Sequence, residues 1–178
     1  MPLGLEKYLK KRDFKKTPEP KGKLKPGPAG KTKGGKLGMA KTGTDSGKSR
    51  FVVQKHEASH LHYDFRLEVA GVLVSWAVPK EPSLDPAVKR LAIKVEDHPL
   101  DYMNFKGVIP KGEYGAGTVE IWDKGTYKNL LDAPMEDALK KGHLAINLNG
   151  KKLKGAFALT RFRKERGGEQ WLLVKMKK

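Results

Sequence analysis

Residues Phe51 to Glu68 read FVVQKHEASHLHYDFRLE, and the second half of this stretch decides the fold. From Leu61 onward the residues alternate. Leu61, Tyr63, Phe65 and Leu67 share one parity, while His60, His62, Asp64, Arg66 and Glu68 share the other. A strand sends successive side chains to opposite faces. Read as a strand, the segment has an apolar face for a core. Its other face lines up imidazoles, a carboxylate and a guanidinium.

The same β signal recurs downstream. After His62 to Val69 and a turn at Ala70-Gly71 comes Val72 to Val78, then an irregular proline-rich link, Pro79 to Asp85. Leu91 to Glu96 alternates again. Asp97 to Gly117 reads as a long glycine-bearing loop, and Thr118 to Trp122 as a strand closed by Asp123-Lys124-Gly125. One short helix is expected, capped by Asp132, with Pro134 in its first turn and Gly142 at its end. Three strands follow, at His143 to Leu148, Ala156 to Arg163 and Gln170 to Met176, with turns at Asn149-Gly150 and Gly167-Gly168. This spacing points to a mainly β domain over residues 51–178, an antiparallel barrel or sandwich.

Residues 1–50 differ. They hold 15 Lys/Arg against four Asp/Glu, and so carry +11 of the net +17; they also hold nine Gly and five Pro. Leu3 to Phe14 can form a short amphipathic helix with Leu5, Tyr8 and Leu9 on one side. Thr17 to Arg50 reads as a flexible basic arm, suited to phosphate contact or to service as a linker. The charge favours a polyanionic partner, nucleic acid before membrane. With no cysteine, disulfides and thiolate metal sites are excluded. No apolar run approaches the ~20 residues that span a bilayer, and the N-terminus lacks the apolar stretch of a secretory signal. A soluble cytoplasmic, intracellular protein, monomeric and without a membrane partner, is expected.

His56, His62 and Asp64 suit a divalent metal, with positions left open for water and substrate. The plainer reading is a polar strand face against solvent. Arg66 lies one strand step beyond Asp64, where a guanidinium can clamp phosphate oxygens; the alternative is an ion pair with Glu68 or Glu96. His60 shares the face but is not assigned to the metal. His98, at the end of the strand LAIKVE, can contact a phosphoryl group or pass a proton, and Tyr102 can add a hydroxyl. A structural histidine is the plainer reading there, and His143 receives only that reading. The loop IPKGEYGAG, Ile109 to Gly117, lacks a Gly-Lys-Ser/Thr ending and is no nucleotide P-loop; its glycines suit tight turns beside the site.

Four segments in order carry a resemblance: QKHEASHLHYDFRLE (Gln54 to Glu68), SWAVPKEPSLDP (Ser75 to Pro86), VEDHPLDY (Val95 to Tyr102) and IPKGEYGAG. Together they resemble the 3′-phosphoesterase domain of bacterial DNA ligase D and its free-standing homologues. The resemblance implies a compact antiparallel β-barrel with one or two short helices and the site in a groove on one side. It implies removal of 3′-terminal ribonucleosides and 3′-phosphates from DNA ends, leaving a 3′-hydroxyl, with manganese or another divalent transition metal. It assigns the metal to His56, His62 and Asp64. Catalysis at the phosphate falls to Arg66 and His98, supported by Tyr102, with Gln54, Ser75, Lys80 and Arg90 lining or flanking the site. The sequence has no Lys-x-Asp-Gly adenylation motif and no room for a polymerase domain. The expectation is therefore action on DNA 3′ ends alone, or with separately encoded ligase, polymerase and Ku-like proteins. A non-catalytic nucleic-acid-binding barrel, and a phosphoesterase acting on RNA ends or small phosphorylated molecules, are the competing readings.

Overall fold

A computed structural model describes residues 4–22 and 49–177. Nine strands form one antiparallel sheet: β1 (Ser49–Glu57), β2 (Leu61–Val69), β3 (Val72–Val78), β4 (Lys89–Pro99), β5 (Gly107–Ile109), β6 (Gly117–Asn129), β7 (His143–Gly150), β8 (Lys154–Glu165) and β9 (Gly168–Lys175). Their order is β1-β2-β3-β4-β9-β8-β7-β6-β5, and β1 also pairs with β6. That last pairing closes eight strands into a barrel and leaves β5 hung on the outer edge of β6. The expected antiparallel barrel is therefore present. Among the described residues, no helix is long and apolar enough to cross a membrane.

β2 forms where the alternation places it and β3 where the apolar run Val72–Val78 places it, joined by Ala70 and Gly71 at φ of 49° and 83°. Both central residues are left-handed, which matches the twist of a tight hairpin. Tyr63, Phe65, Leu67, Val74, Trp76 and Val78 point into the barrel and meet Phe157, Leu159 and Trp171 from the far wall. Leu61, at the strand end, remains 47% exposed and joins no core.

Four expectations need correction. Residues 49–57 form a full strand, β1, that the sequence pattern did not reveal. Phe51 and Val53 face the inner core, whereas Val52 faces a second apolar cluster outside the barrel wall. Both faces are covered, so FVV shows no alternation. Second, the supposed long loop holds the end of β4, a 3-10 turn at Leu100–Asn104, and β5.

Third, Asp123-Lys124-Gly125 does not end a strand; β6 runs through it. The buried Asp123 carboxylate instead accepts backbone N–H bonds from Lys124, Lys151, Lys152 and Leu153, which pins the β7–β8 turn. Fourth, the helix α2 (Met135–Lys141) has Pro134 at its N-cap and no side-chain cap from Asp132; Gly142 ends it as expected.

The N-terminal helix is α1 (Glu6–Lys10), shorter than residues 3–14, and Tyr8 is fully buried. The polypeptide continues across the barrel's outer face to Gly22, with Thr17 and Glu19 buried. Thr17 to Gly22 are thus packed, and the rest of the expected basic arm, residues 23–48, lies outside the described residues.

Candidate metal and phosphate site

The outer face of β1 to β4, with the 3-10 turn after β4, carries the functional side chains. β1 and β2 pair antiparallel with His56 opposite His62 and Gln54 opposite Asp64; across β3, Arg66 faces Ser75. The second apolar cluster builds the walls of this face: Tyr8, Val52, Leu73, Tyr102, Met103, Phe105, Ile109 and Val119. Covered in this way, the polar residues sit in a buried site. Asp64 is 6% exposed, Arg66 3% and His98 3%.

His56, His62 and Asp64 each offer one ligand atom, and the three atoms lie within 4.8 Å of one another. His56 Nδ1 is 3.4 Å from one Asp64 oxygen, and His62 Nε2 is 3.4 Å from the other. Backbone carbonyls fix the opposite ring nitrogens. His56 Nε2–H donates to the Gly115 carbonyl at 2.6 Å, and His62 Nδ1–H donates to the His60 carbonyl at 2.9 Å. Each ring thereby keeps a lone pair aimed at the cluster, the orienting arrangement expected around metal-ligating histidines. Gly115 has φ of 77°, and a Cβ there would press on the His56 ring at 3.4 Å. The glycine loop thus makes a tight turn against a ligand candidate.

Burial alone would raise the Asp64 carboxyl. Arg66 and the two imidazoles outweigh it and hold the group far below the usual carboxylate range. Burial likewise works against charge on His62, but the bond and charge of Asp64 prevail and raise it. A permanently ionised carboxylate between two oriented imidazoles is a donor set that fits manganese, zinc or a similar divalent ion.

Arg66 is held on every side. Its Nε donates to Gln54 at 2.7 Å, its NH2 group lies 3.4 Å from Asp64, and its guanidinium rests over the Tyr102 ring at 4.8 Å. Gln54, fully buried, is itself fixed by donating to the Tyr102 and Phe105 carbonyls. His98 stands beyond. Glu96 O at 2.9 Å, Arg66 at 3.1 Å and Ser75 Oγ at 3.4 Å surround its Nδ1. Among these the carbonyl requires a donor, so Nδ1 carries the proton and Nε2 accepts from Arg12 at 3.2 Å. Burial, then the charges of Arg66 and Arg12, push His98 well below its ordinary value, so it is neutral near pH 7. Burial raises the Tyr102 hydroxyl and keeps it protonated.

The structure therefore brings together His56, His62, Asp64, Arg66, His98, Tyr102, Gln54 and Ser75. It does not join Lys80 or Arg90 to them. Lys80 is exposed, and Arg90 donates to the Glu81 carbonyl at 2.7 Å at the barrel rim. His60 contributes only its carbonyl, and His143 bonds Thr160 at the surface. Glu68 pairs with Arg50 rather than with Arg66.

The sequence reading missed the N-terminal contribution. Tyr8 lies 5.1 Å from the His98 ring, and Arg12 rests over Tyr8 at 4.0 Å. Arg12 also pairs with Glu19 and Glu96. The Leu5, Tyr8, Leu9 pattern signalled a packed helix. Nothing in the run TPEP signalled that Glu19 would be buried against an arginine.

The sequence model of the DNA Ligase D 3′-phosphoesterase domain family matches residues 54–161. Curated relatives match over 97% of this chain. The multifunctional non-homologous end joining protein LigD of Pseudomonas aeruginosa is 53% identical over 174 residues, 18% of its length. The multifunctional non-homologous end joining DNA repair protein LigD of Mycobacterium tuberculosis is 43% identical over 173 residues, 20% of its length. The LigD protein of Mycolicibacterium smegmatis is 42% identical over 180 residues, 20% of its length. The chain spans about a fifth of the length of these relatives.

Proposed function

The chain belongs to the DNA ligase D 3′-phosphoesterase domain family, and on that premise we propose that it is a divalent-metal-dependent enzyme that cleans DNA 3′ ends. It removes a terminal ribonucleoside and then the 3′-phosphate, leaving a 3′-hydroxyl for repair and ligation. The relatives' names place them in non-homologous end joining, and the same process is our proposal here, with ligase, polymerase and Ku-like partners.

One observation carries this reading: the His56, His62 and Asp64 ligand atoms converge beside the immobilised Arg66 and the buried His98. His56 Nδ1, His62 Nε2 and an Asp64 oxygen would hold the metal. The chemistry supplied there, by manganese in our reading, is Lewis-acid polarisation of a phosphate oxygen and acidification of a water. Arg66 binds the phosphate as a fixed fork. Held by Gln54 and Tyr102, it loses little freedom when it does so. His98 meets the phosphate through Nε2, which exchanges its bond from Arg12 for the phosphate as the substrate enters. A phosphate dianion favours the imidazolium, so proton uptake at Nε2 places a second cation beside Arg66 as the substrate enters. Tyr102 donates its hydroxyl, and the Tyr8 and Tyr102 rings keep bulk water from His98.

The test is a labelled primer-template ending in a 3′-phosphate or a single 3′-ribonucleotide. Manganese should support conversion to the 3′-hydroxyl, and chelator should stop it. Asp64→Ala and His62→Ala should each abolish conversion in a folded protein. Full activity in either variant refutes the assignment. The same ends on RNA, processed faster than on DNA, would favour an RNA substrate.

A further inference from the structure

A cavity of about 340 Å³ opens at the barrel rim, where Pro82, Leu84, Trp122 and Leu153 form apolar walls and Glu81, Arg90 and Lys152 add charge. We propose that this cavity binds one unpaired nucleotide of the DNA whose 3′ end lies at His56, His62 and Asp64. The proposal rests on DNA being the substrate, and it adds a second contact point remote from the reacting phosphate.

Position supports it. The rim is at the same end of the barrel as the metal candidates. β6 carries both features: Val119 pairs with His56, and Trp122 follows three residues later, about 10 Å along the strand. Tyr63, between His62 and Asp64, contacts the Trp122 ring edge-on at 5.7 Å. Lys80 is exposed immediately before Glu81 on the same rim. Tyr63 and Trp122 pack with the inner core while His62 and Asp64 face outward, so a strand leaving the metal cluster reaches the cavity by crossing the rim.

Chemistry supports it as well. The volume sits at the low end of ligand cavities, which suits a single small ring system. An indole beside two cations is the recurring platform for unpaired bases, with stacking on the ring and phosphate on the cations. The platform is built in advance. Trp122 Nε1–H donates to Glu81 at 3.1 Å, which sets the indole plane. Lys152, which a stacking base would displace toward the phosphate, lies over that ring at 4.4 Å. Its turn is pinned by the buried Asp123, which takes the Lys152 and Leu153 N–H groups. Leu84 is 51% exposed at the mouth, an apolar edge that a base would cover. A paired base cannot enter such a recess, so the occupant is an unpaired nucleotide, as at a single-stranded overhang or a frayed end.

Tryptophan emission tests this directly, with chelator present to prevent turnover. Trp76 and Trp171 are fully buried, whereas Trp122 is partly exposed. Duplex DNA with a single-stranded overhang should quench the emission, and Trp122→Phe should remove that quenching while retaining most of the affinity. Trp122→Ala should weaken overhang binding about tenfold by fluorescence anisotropy; Lys152→Ala should weaken it by less. Quenching that persists in Trp122→Phe, or unchanged affinity in a folded Trp122→Ala, overturns the proposal. Failure of the phosphoesterase reading shows differently: the wild-type protein would leave a 3′-phosphate intact with manganese while still binding overhang through Trp122.

Discussion

The two faces of β2 are made from neighbouring residues and do opposite work. Tyr63, Phe65 and Leu67 point inward to an apolar core closed by Trp76, Phe157 and Trp171. Asp64 and Arg66, one residue away on either side of Phe65, point outward and are just as buried. The inner face is held by the exclusion of water. The outer face is held by pairing: each charge meets an imidazole, an amide or another charge. Buried charges persist only when paired in this way. Two equally buried faces of one strand are thus held by different forces.

Substitutions should separate the faces. The largest effect on activity is expected at Asp64→Ala, a loss on the order of 10³-fold or more, with the barrel still folded by circular dichroism. Phe65→Ala, its neighbour, should instead cost about 3–5 kcal/mol of stability in denaturant titration. A stable Phe65→Ala or an unfolded Asp64→Ala would erase the distinction. Arg66→Ala should lower turnover about 10²–10³-fold while manganese still binds. Loss of metal in that variant would move Arg66 into the ligand set.

A smaller effect tests the cover. Arg12→Ala removes the donor to His98 Nε2 and should reduce turnover about 10- to 100-fold, the cost of one charged hydrogen bond. Because Arg12 also lowers His98, the pH profile should shift upward as well, which a merely structural role would not produce.

The smallest effect is in stability against pH. His98 is held below its ordinary value, so between that lowered value and about 6.5 the unfolded chain binds a proton that the folded one does not. Its contribution is full above this window and is lost as pH falls through it. His62 is raised and acts with the opposite sign, favouring the fold at low pH and fading as pH rises. His98→Asn should therefore make the slope of Tm against pH more negative between about 5 and 7, at roughly 2–4 °C per kcal/mol. An unchanged slope would mean that His98 is not held neutral.

Legibility in the sequence followed the same division. β2 was readable because one face is apolar and the other polar, and β3 because VLVSWAV is an apolar run bounded by turn residues. The parity of β2 put His62, Asp64 and Arg66 on one face; their assignment with His56 to a metal and phosphate site came from the family resemblance. β1 was not readable, since Phe51, Val52 and Val53 bury on both sides of the wall. His56 lies on that unread strand, directly opposite His62. Asp123 resembled a turn residue because its role is to bind a turn 28 residues away. Arg12 and Glu19 carried no sequence signal, because their meaning lies in what they touch across the fold.

The central claim is that the buried outer face of β2 is a metal and phosphate site. Manganese binding followed by electron paramagnetic resonance tests it most directly. The account predicts one tightly bound ion per wild-type chain, one in Arg66→Ala, and none in Asp64→Ala, with 3′-phosphate release lost in Asp64→Ala and about 10²–10³-fold slower in Arg66→Ala. Undiminished binding in folded Asp64→Ala, or phosphate release by the wild-type protein in chelator, would contradict it.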